Sequence, residues 1–161
     1  MLGRSSALPV VLVDSPGMRM RTGTVYVAPP DRHLVITASA RFDLVGGRRI
    51  RHLRSSANPL FESAAAVFGP RVVAVVLTGG DSDATDGVQA VSAMGGTVIA
   101  QDPATARFSS MPEAAIASHC VTAVLPLDAI GPALVKLVVK LVAGRASRAA
   151  PASAGARRTP R

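Results

Sequence analysis

One segment of the chain, residues 72–100, reads VVAVVLTGGDSDATDGVQAVSAMGGTVIA. It begins with a run of six apolar residues, mostly valine, which is typical of a strand buried on both faces. A polar loop rich in glycine and aspartate follows, then a helical spacing of apolar residues over about 87–94, then a second strand over about 97–100. Two buried strands joined by a crossover helix predict a parallel pair.

The same alternation continues towards the C-terminus. The residues Ser110-Met111-Pro112-Glu113 have the spacing of a capping box and predict the start of another helix. A strand follows at about 121–125, and a last helix over about 128–143 is predicted to end at Gly144. The order βαβαβα is typical of a doubly wound α/β domain whose sheet is mostly parallel.

The N-terminal third has a different pattern. Short β-branched runs at 9–13, 24–28 and 34–38 are separated by proline, glycine and aspartate, which predicts strands. The Arg-rich residues 48–54 (RRIRHLR) lack apolar spacing and are interpreted as a solvated connection or edge. At residues 58–69 the pattern becomes helical, with Asn58 as the predicted N-cap, Pro59 at the first position and Gly69 at the end.

The composition limits the classes of protein to which the chain can belong. Its 161 residues are 48% hydrophobic and 17% charged, which suits one α/β domain with a core and excludes disorder throughout. Aromatic residues make up only 3%, so a base-stacking surface for nucleic acid is not expected. The single cysteine, Cys120, is interpreted as a small core residue. It excludes a disulfide framework within one chain, and we expect a reducing, cytoplasmic location.

The net charge of +8 is unevenly distributed. Residues 1–60 carry nine arginines and three aspartates, and residues 145–161 carry five arginines and no acid, whereas residues 61–144 carry four basic and seven acidic side chains. Basic ends attract nucleic acid only through nonspecific electrostatics, so no specific nucleic-acid partner is expected. The aperiodic residues 145–161 predict a disordered basic tail behind a domain over 1–144. No apolar run suits membrane insertion.

The loop from Thr78 to Gly87 is the clearest place for chemistry, because ligands of open parallel sheets bind outside the carboxyl ends of the strands. It carries Asp81, Asp83 and Asp86 within six residues. An aspartate here could serve in acid/base chemistry, orient a histidine or bind a hard cation; equally, all three could form turns and cap a helix. Elsewhere no cluster has metal-ligand spacing, and neither a metal nor another cofactor is expected.

Several short motifs occur in order over residues 8–142. They are GTVYVAPPDRHLVIT at 23–37, SANPLFESAA at 56–65, Thr78-Gly79 followed by Asp83, Gln101-Asp102, and Met111-Pro112 with Ala115. Together they resemble the CheB-type chemotaxis protein-glutamate methylesterase domain. The resemblance implies a doubly wound, mostly parallel α/β sheet with crossover helices and an antiparallel hairpin region, here without the first βαβ portion.

The resemblance also implies an activity, the hydrolysis of glutamyl methyl esters on the cytoplasmic helices of chemoreceptors. The family uses a serine nucleophile, a histidine base and an aspartate that holds the histidine in the right tautomer. By position, Asp83 matches that aspartate, and Thr78, Gly79 and Gly80 match the loop beneath the catalytic centre. The residues Gly80-Asp81 and Ala84 depart from the family's commoner Met-Gly and Gly, which affects local substrate and oxyanion contacts.

The family's serine and histidine belong to an earlier portion of the domain and match no residue of this sequence. Ser5 and Ser153 have glycine neighbours but lack the strand and helix that hold a nucleophile's turn. His33 matches the family's His-Leu pair in a strand region and is interpreted as a structural or surface residue. His52 is assigned to a solvated segment and His119 to a helix end.

Two functions remain open on these grounds. The first is a methylesterase domain that is inactive in this chain alone, because Asp83 has no nucleophile and base to serve. The second is a non-catalytic module that binds a receptor or another signalling protein. An apolar sheet edge in the first strands also predicts self-association.

Overall fold

The computed structural model describes residues 6–46, 56–80 and 82–149. The chain divides into two compact units, Met1–Leu127 and Asp128–Arg161. The strands are β1 (Val10–Leu12), β2 (Val25–Val27), β3 (Arg32–Ile36), β4 (Phe42–Gly46), β5 (Val73–Val76), β6 (Thr97–Gln101) and β7 (Ala123–Leu125). The helices are α1 (Asn58–Phe68), α2 (Thr85–Ala93), α3 (Ser110–Ala117) and α4 (Leu127–Ala149), with short 3-10 turns at Gly69–Arg71 and Pro103–Thr105.

The first unit is built on a parallel sheet in the order β5, β6, β7. The pairing places Ala74 beside Val98 and Ala100 beside Val124. Helix α2 connects β5 to β6, and helix α3 connects β6 to β7. The core joins side chains of these strands to those of both helices, with Ala74, Val76, Val88, Val91, Val98 and Ala115 all buried. The predicted parallel α/β arrangement is confirmed.

The N-terminal strands form two further pairs. Strands β1 and β2 are parallel, whereas β3 and β4 are antiparallel. Sequence analysis missed β4, because its five residues FDLVG contain an aspartate and a glycine, both of which are depleted in strands. A second core cluster joins buried Val13, Leu34 and Phe42, and the ring of Tyr26 lies 4.6 Å from that of Phe42.

Helices α1 and α2 approach each other closely at Gly87. A Cβ atom built at Gly87 would lie 2.6 Å from Cβ of Phe61 and 3.2 Å from both Cα and the carbonyl oxygen of Asn58. The Gly87 N–H also donates to Oδ1 of Asn58 at 2.8 Å. Because these neighbours are backbone or Cβ atoms, they cannot rotate away, and only glycine fits here without a shift of the helices.

A Gly87→Ala variant is therefore expected to lower the free energy of unfolding by about 2 kcal/mol through overpacking. The sign is diagnostic, because inside a helix alanine is otherwise favoured over glycine by about 1 kcal/mol. Urea unfolding followed by circular dichroism would measure the change. Gly80→Ala is the matched control, since a Cβ at Gly80 meets no atom within 4 Å. Equal stability of both variants would contradict the close packing.

The predicted helix starts at residues 58 and 110 and the predicted end at Gly69 are confirmed, but two predicted caps and one predicted helix end are wrong. Asn58 lies inside α1, with Ala57 at the N-cap and no capping side chain, because the Asn58 amide binds α2 instead. Helix α3 already includes Ser110, and Ser109 at its N-cap makes no side-chain capping bond. Helix α4 continues past Gly144 to Ala149, since alanine and arginine around Gly144 favour helix.

The predictions for the Arg-rich stretch and for the basic tail concern residues that the structure describes only in part. The Arg-rich residues 48–54 lie outside the described residues, and so do residues 150–161 of the predicted tail. The first five residues of that predicted tail belong to α4. None of the helices described here is long and apolar enough to cross a membrane.

Candidate active site

The loop that follows β5 is held by β6 and by the segment that precedes α3. The N–H of Thr78 donates to Oε1 of Gln101, a buried residue at the end of β6, at 2.9 Å. The Thr78 hydroxyl oxygen accepts from the Phe108 N–H at 2.9 Å, and the Gly79 N–H donates to the Phe108 carbonyl oxygen at 3.0 Å. The carboxyl ends of β5 and β6 therefore form one connected edge.

Two of the predicted loop glycines have different surroundings. A Cβ atom at Gly79 would overlap the side chain of Met111, whose own N–H donates to the Gly79 carbonyl oxygen at 3.2 Å. Gly79 therefore permits the start of α3 to lie against the loop. Gly80 faces open space, and Asp81 lies outside the described residues. Of Gly79 and Gly80, only Gly79 therefore has a packing reason to be glycine.

Asp83 is the centre of a buried polar cluster. Its side chain is only 7% exposed. The Ser56 hydroxyl donates to Oδ1 at 2.6 Å, and the Ala57 N–H donates to Oδ2 at 2.9 Å. Hydrogen bonds to an ionised carboxylate are stronger than those between neutral groups. Each carboxylate oxygen therefore has its own donor, and the plane of the carboxylate is fixed relative to the start of α1.

The residues around Ser56 extend this cluster. The Ser56 N–H donates to Nδ1 of buried His33 at 3.0 Å, and the Asn58 N–H donates to the Ser56 hydroxyl oxygen at 3.2 Å. The side-chain amide of Asn58 in turn donates to Oδ2 of Asp86 at 3.3 Å. Ser56 and Ala57, just before α1, are thereby attached both to β3 and to the loop that carries Asp83.

Ala84, directly after Asp83, has a left-handed backbone conformation with φ of 73°. It is buried and occupies the N-cap position of α2. This conformation costs a residue with a Cβ atom about 1–2 kcal/mol in free energy, whereas for glycine the cost is small. Ala84 therefore adopts a conformation that glycine would adopt with less strain. Ala84, not Asp86, is the N-cap of α2.

Of the other candidate residues, His33 is joined to the Asp83 cluster through Ser56, and the rest lie elsewhere or outside the described residues. His33 is buried in β3 and accepts a hydrogen bond from the backbone, in agreement with its structural interpretation. His119 follows the end of α3 and is exposed, and Cys120 is half-buried against the core. Ser5, His52 and Ser153 lie outside the described residues. Within residues 6–46, 56–80 and 82–149, no three His, Cys, Asp or Glu residues could hold a metal ion.

Sequence analysis missed Ser56 and the Ala57 amide as the partners of Asp83. A signal was present, since Ser56 and Asn58 lie at the start of SANPLF, one of the motifs that resemble the family. Their polar side chains precede an apolar helix, which normally indicates capping alone. A hydrogen bond to a residue 27 positions away has no counterpart in local sequence spacing.

A buried aspartate whose carboxylate is held by hydrogen-bond donors is one component of a Ser-His-Asp site, and ligands of parallel sheets bind at the edge where Asp83 lies. The CheB methylesterase family model matches residues 1–134, and the chain belongs to this family. The structure also matches that of the Thermotoga maritima CheB methylesterase catalytic domain, with a TM-score of 0.78 and 32% identity. That match covers 84% of this chain and 73% of the other.

Curated relatives have the same family name. Protein-glutamate methylesterase/protein-glutamine glutaminase 2 of Caulobacter vibrioides is 45% identical over 68% of this chain. Protein-glutamate methylesterase FrzG of Myxococcus xanthus is 40% identical over 85% of this chain. The matched parts make up 33% and 41% of these two relatives. The chain therefore spans well under half the length of either protein.

Proposed function

We propose that this chain supplies the aspartate-bearing part of a protein-glutamate methylesterase site. The reaction adds water to a glutamyl methyl ester and releases methanol and a carboxylate. The observation that carries the proposal is the Asp83 carboxylate, buried and oriented by Ser56 and Ala57. An aspartate held in this way can fix the tautomer of a histidine and stabilise the imidazolium that forms when the histidine takes a proton from a serine.

The loop residues have supporting roles in this proposal. Thr78 and Gly79 connect β5 to the segment before α3, so that the edge on which the substrate ester would lie is rigid. Gly80, with open space around it, would leave room next to the ester. Such preorganisation lowers the reorganisation needed during the reaction.

We further propose that a polypeptide of these 161 residues has no esterase turnover. A triad aspartate acts only through its histidine. The two hydrogen-bond donors to the Asp83 carboxylate are the Ser56 hydroxyl and the Ala57 N–H, and neither belongs to a histidine. Methanol release from a methylated cytoplasmic fragment of a chemoreceptor measures this, with the Thermotoga maritima catalytic domain as the active control. We expect release at the buffer rate and no serine labelled by a fluorophosphonate. Turnover that is lost in Asp83→Asn would overturn this expectation.

A second candidate function is a non-catalytic module that binds a receptor or another signalling protein. The exposed Phe108 ring beside the Thr78 loop favours it. Saturable binding of the methylated receptor fragment without methanol release supports this function. Equal binding of an unrelated helical protein contradicts it.

The partners, location and domain limits complete the proposal. The expected partners are the methylated cytoplasmic helices of chemoreceptors, and the expected location is therefore the cytoplasm. Function would reside in residues 1–144, with 145–161 dispensable for receptor binding.

The half-exposed Leu12 of β1 favours self-association through that strand's edge. Sedimentation velocity over a concentration series tests this, and a monomer at every concentration would contradict it.

A further inference from the structure

Three large apolar side chains are exposed at the edge that carries the candidate site. Leu77 directly follows β5, Phe108 bonds the loop after β5, and Leu127 lies two residues beyond the end of β7. Their exposed fractions are 42%, 58% and 55%. We call these three residues the edge patch. Exposed large apolar side chains near a candidate site are typical of a binding surface.

Phe108 is exposed and at the same time held in place. Its N–H donates to the Thr78 hydroxyl oxygen, and its carbonyl oxygen accepts from the Gly79 N–H. The Thr78 hydroxyl also lies 3.2 Å from that carbonyl oxygen. The backbone of Phe108 is thus ordered before any partner arrives, and association at an ordered surface loses less conformational entropy. The same hydrogen bonds fix the Phe108 backbone, from which the ring extends, relative to Thr78 and Gly79.

The Arg107 guanidinium lies near the Phe108 ring. The guanidinium carbon of Arg107 lies 5.4 Å from the centroid of Phe108, within the range of a cation–π contact. Both side chains are exposed. A partner at this edge would therefore meet an aromatic face and a cation side by side.

We propose that Phe108 and Arg107 dock the substrate helix, and that they do so as a specificity-determining pair. This inference rests on the proposed function, whose substrate is a glutamyl ester on a receptor helix. Methylation neutralises one glutamate of such a helix, while its unmodified glutamates stay anionic. Apolar side chains of an amphipathic helix would pack on the edge patch, and an unmodified glutamate would pair with Arg107.

Binding of a methylated cytoplasmic receptor fragment to the full chain, followed by biolayer interferometry, tests the docking pair. Phe108→Ala is expected to weaken binding about tenfold or more, as for aromatic hot spots. Arg107→Glu is expected to weaken it and to flatten the dependence of Kd on salt, because the charge pair is lost. Met94→Ala is the matched control. Met94 is 49% exposed, but it precedes β6 and so lies towards the amino ends of the strands, away from the candidate site at their carboxyl ends.

Each outcome decides a different claim. An unchanged Kd in Phe108→Ala, alongside tight binding by the unmodified chain, overturns the docking role and leaves the proposed function standing. Failure of the unmodified chain to bind the fragment overturns the receptor as partner and the docking pair with it. Equal losses in Phe108→Ala and Met94→Ala also overturn the specific role of Phe108. Thermal unfolding of each variant verifies that these surface changes leave the fold intact.

Discussion

An Asp83→Ala variant is expected to lose about 3 kcal/mol of its free energy of unfolding, since each buried donor left unpaired costs about 1–3 kcal/mol. The substitution removes both carboxylate oxygens of Asp83, so the Ser56 hydroxyl loses its acceptor Oδ1 and the Ala57 N–H loses its acceptor Oδ2. Water does not easily replace them, because Ser56 is itself only 6% exposed. Urea unfolding would measure the loss.

Two further variants separate the causes of this loss. Asp83→Asn keeps the shape of the side chain and one acceptor oxygen, and its NH2 can donate to the Ser56 hydroxyl oxygen; we expect a loss of about 1 kcal/mol. Asp14→Ala removes an exposed carboxylate and is expected to change stability by less than about 0.5 kcal/mol. A loss in Asp83→Ala no larger than that of the Asp14 control would show that the buried cluster contributes little.

A double-mutant cycle would assign the contribution of the Ser56 contact. Ser56→Ala leaves Oδ1 of Asp83 without its donor, whereas in an Asp83→Ala background the same change removes a hydroxyl that has already lost its acceptor. We therefore expect a coupling between the two positions of about 1–3 kcal/mol. Ser63→Ala is the control, because the Ser63 hydroxyl bonds Ile36 and the backbone of α1 instead.

Gln101→Ala is the second change for which we expect a large effect, a loss of about 3 kcal/mol from the combined cavity and unpaired backbone groups. Gln101 is 1% exposed. Its Oε1 accepts from the Thr78 N–H at 2.9 Å, and its Nε2 donates to the Thr105 carbonyl oxygen at 2.9 Å. One side chain therefore joins the loop after β5 to the turn after β6. Without it, both loops should also open locally.

Hydrogen exchange would distinguish this local effect from a general loss of stability. The Thr78 amide of Gln101→Ala is expected to exchange far faster than amides at the centre of β6, because it has lost its acceptor. Gln89→Ala, on the exposed side of α2, serves as the matched control and should leave both readouts unchanged. Uniform acceleration across β5 and β6 would contradict the specific role of Gln101.

Much of the parallel sheet could be predicted because its signals are local. The apolar run at 72–77 and the second run at 97–100 each identify a buried strand without reference to the rest of the chain. The aspartate-rich loop follows the first strand directly, so Asp83 was placed at the correct edge. Strand β4 was missed because five mixed residues become a strand only when β3 pairs with them.

The two predicted caps and the predicted end at Gly144 were wrong for a related reason. Asn58 has an ordinary capping side chain, and capping is the local use of such a residue. In the folded chain its Oδ1 accepts from Gly87, 29 residues away, so a long-range partner took the place of the local one. Ser110 and Gly144 were likewise judged on local preferences, which contribute about 1 kcal/mol or less and are readily overridden.

By itself, the sequence determined the alternation of strands and helices, the family, and the aspartate that matches the family's triad. These follow from periodicity and from short motifs, each of which is confined to a few neighbouring residues. The tertiary structure alone decided that Ser56 and Ala57 hold the Asp83 carboxylate, that Gln101 joins two loops, and that Phe108 is ordered beside Thr78. The contacts of Asp83 with Ser56 and Ala57, and those of Thr78 with Gln101 and Phe108, join residues 23 to 30 positions apart. Only folding brings such groups within hydrogen-bond distance.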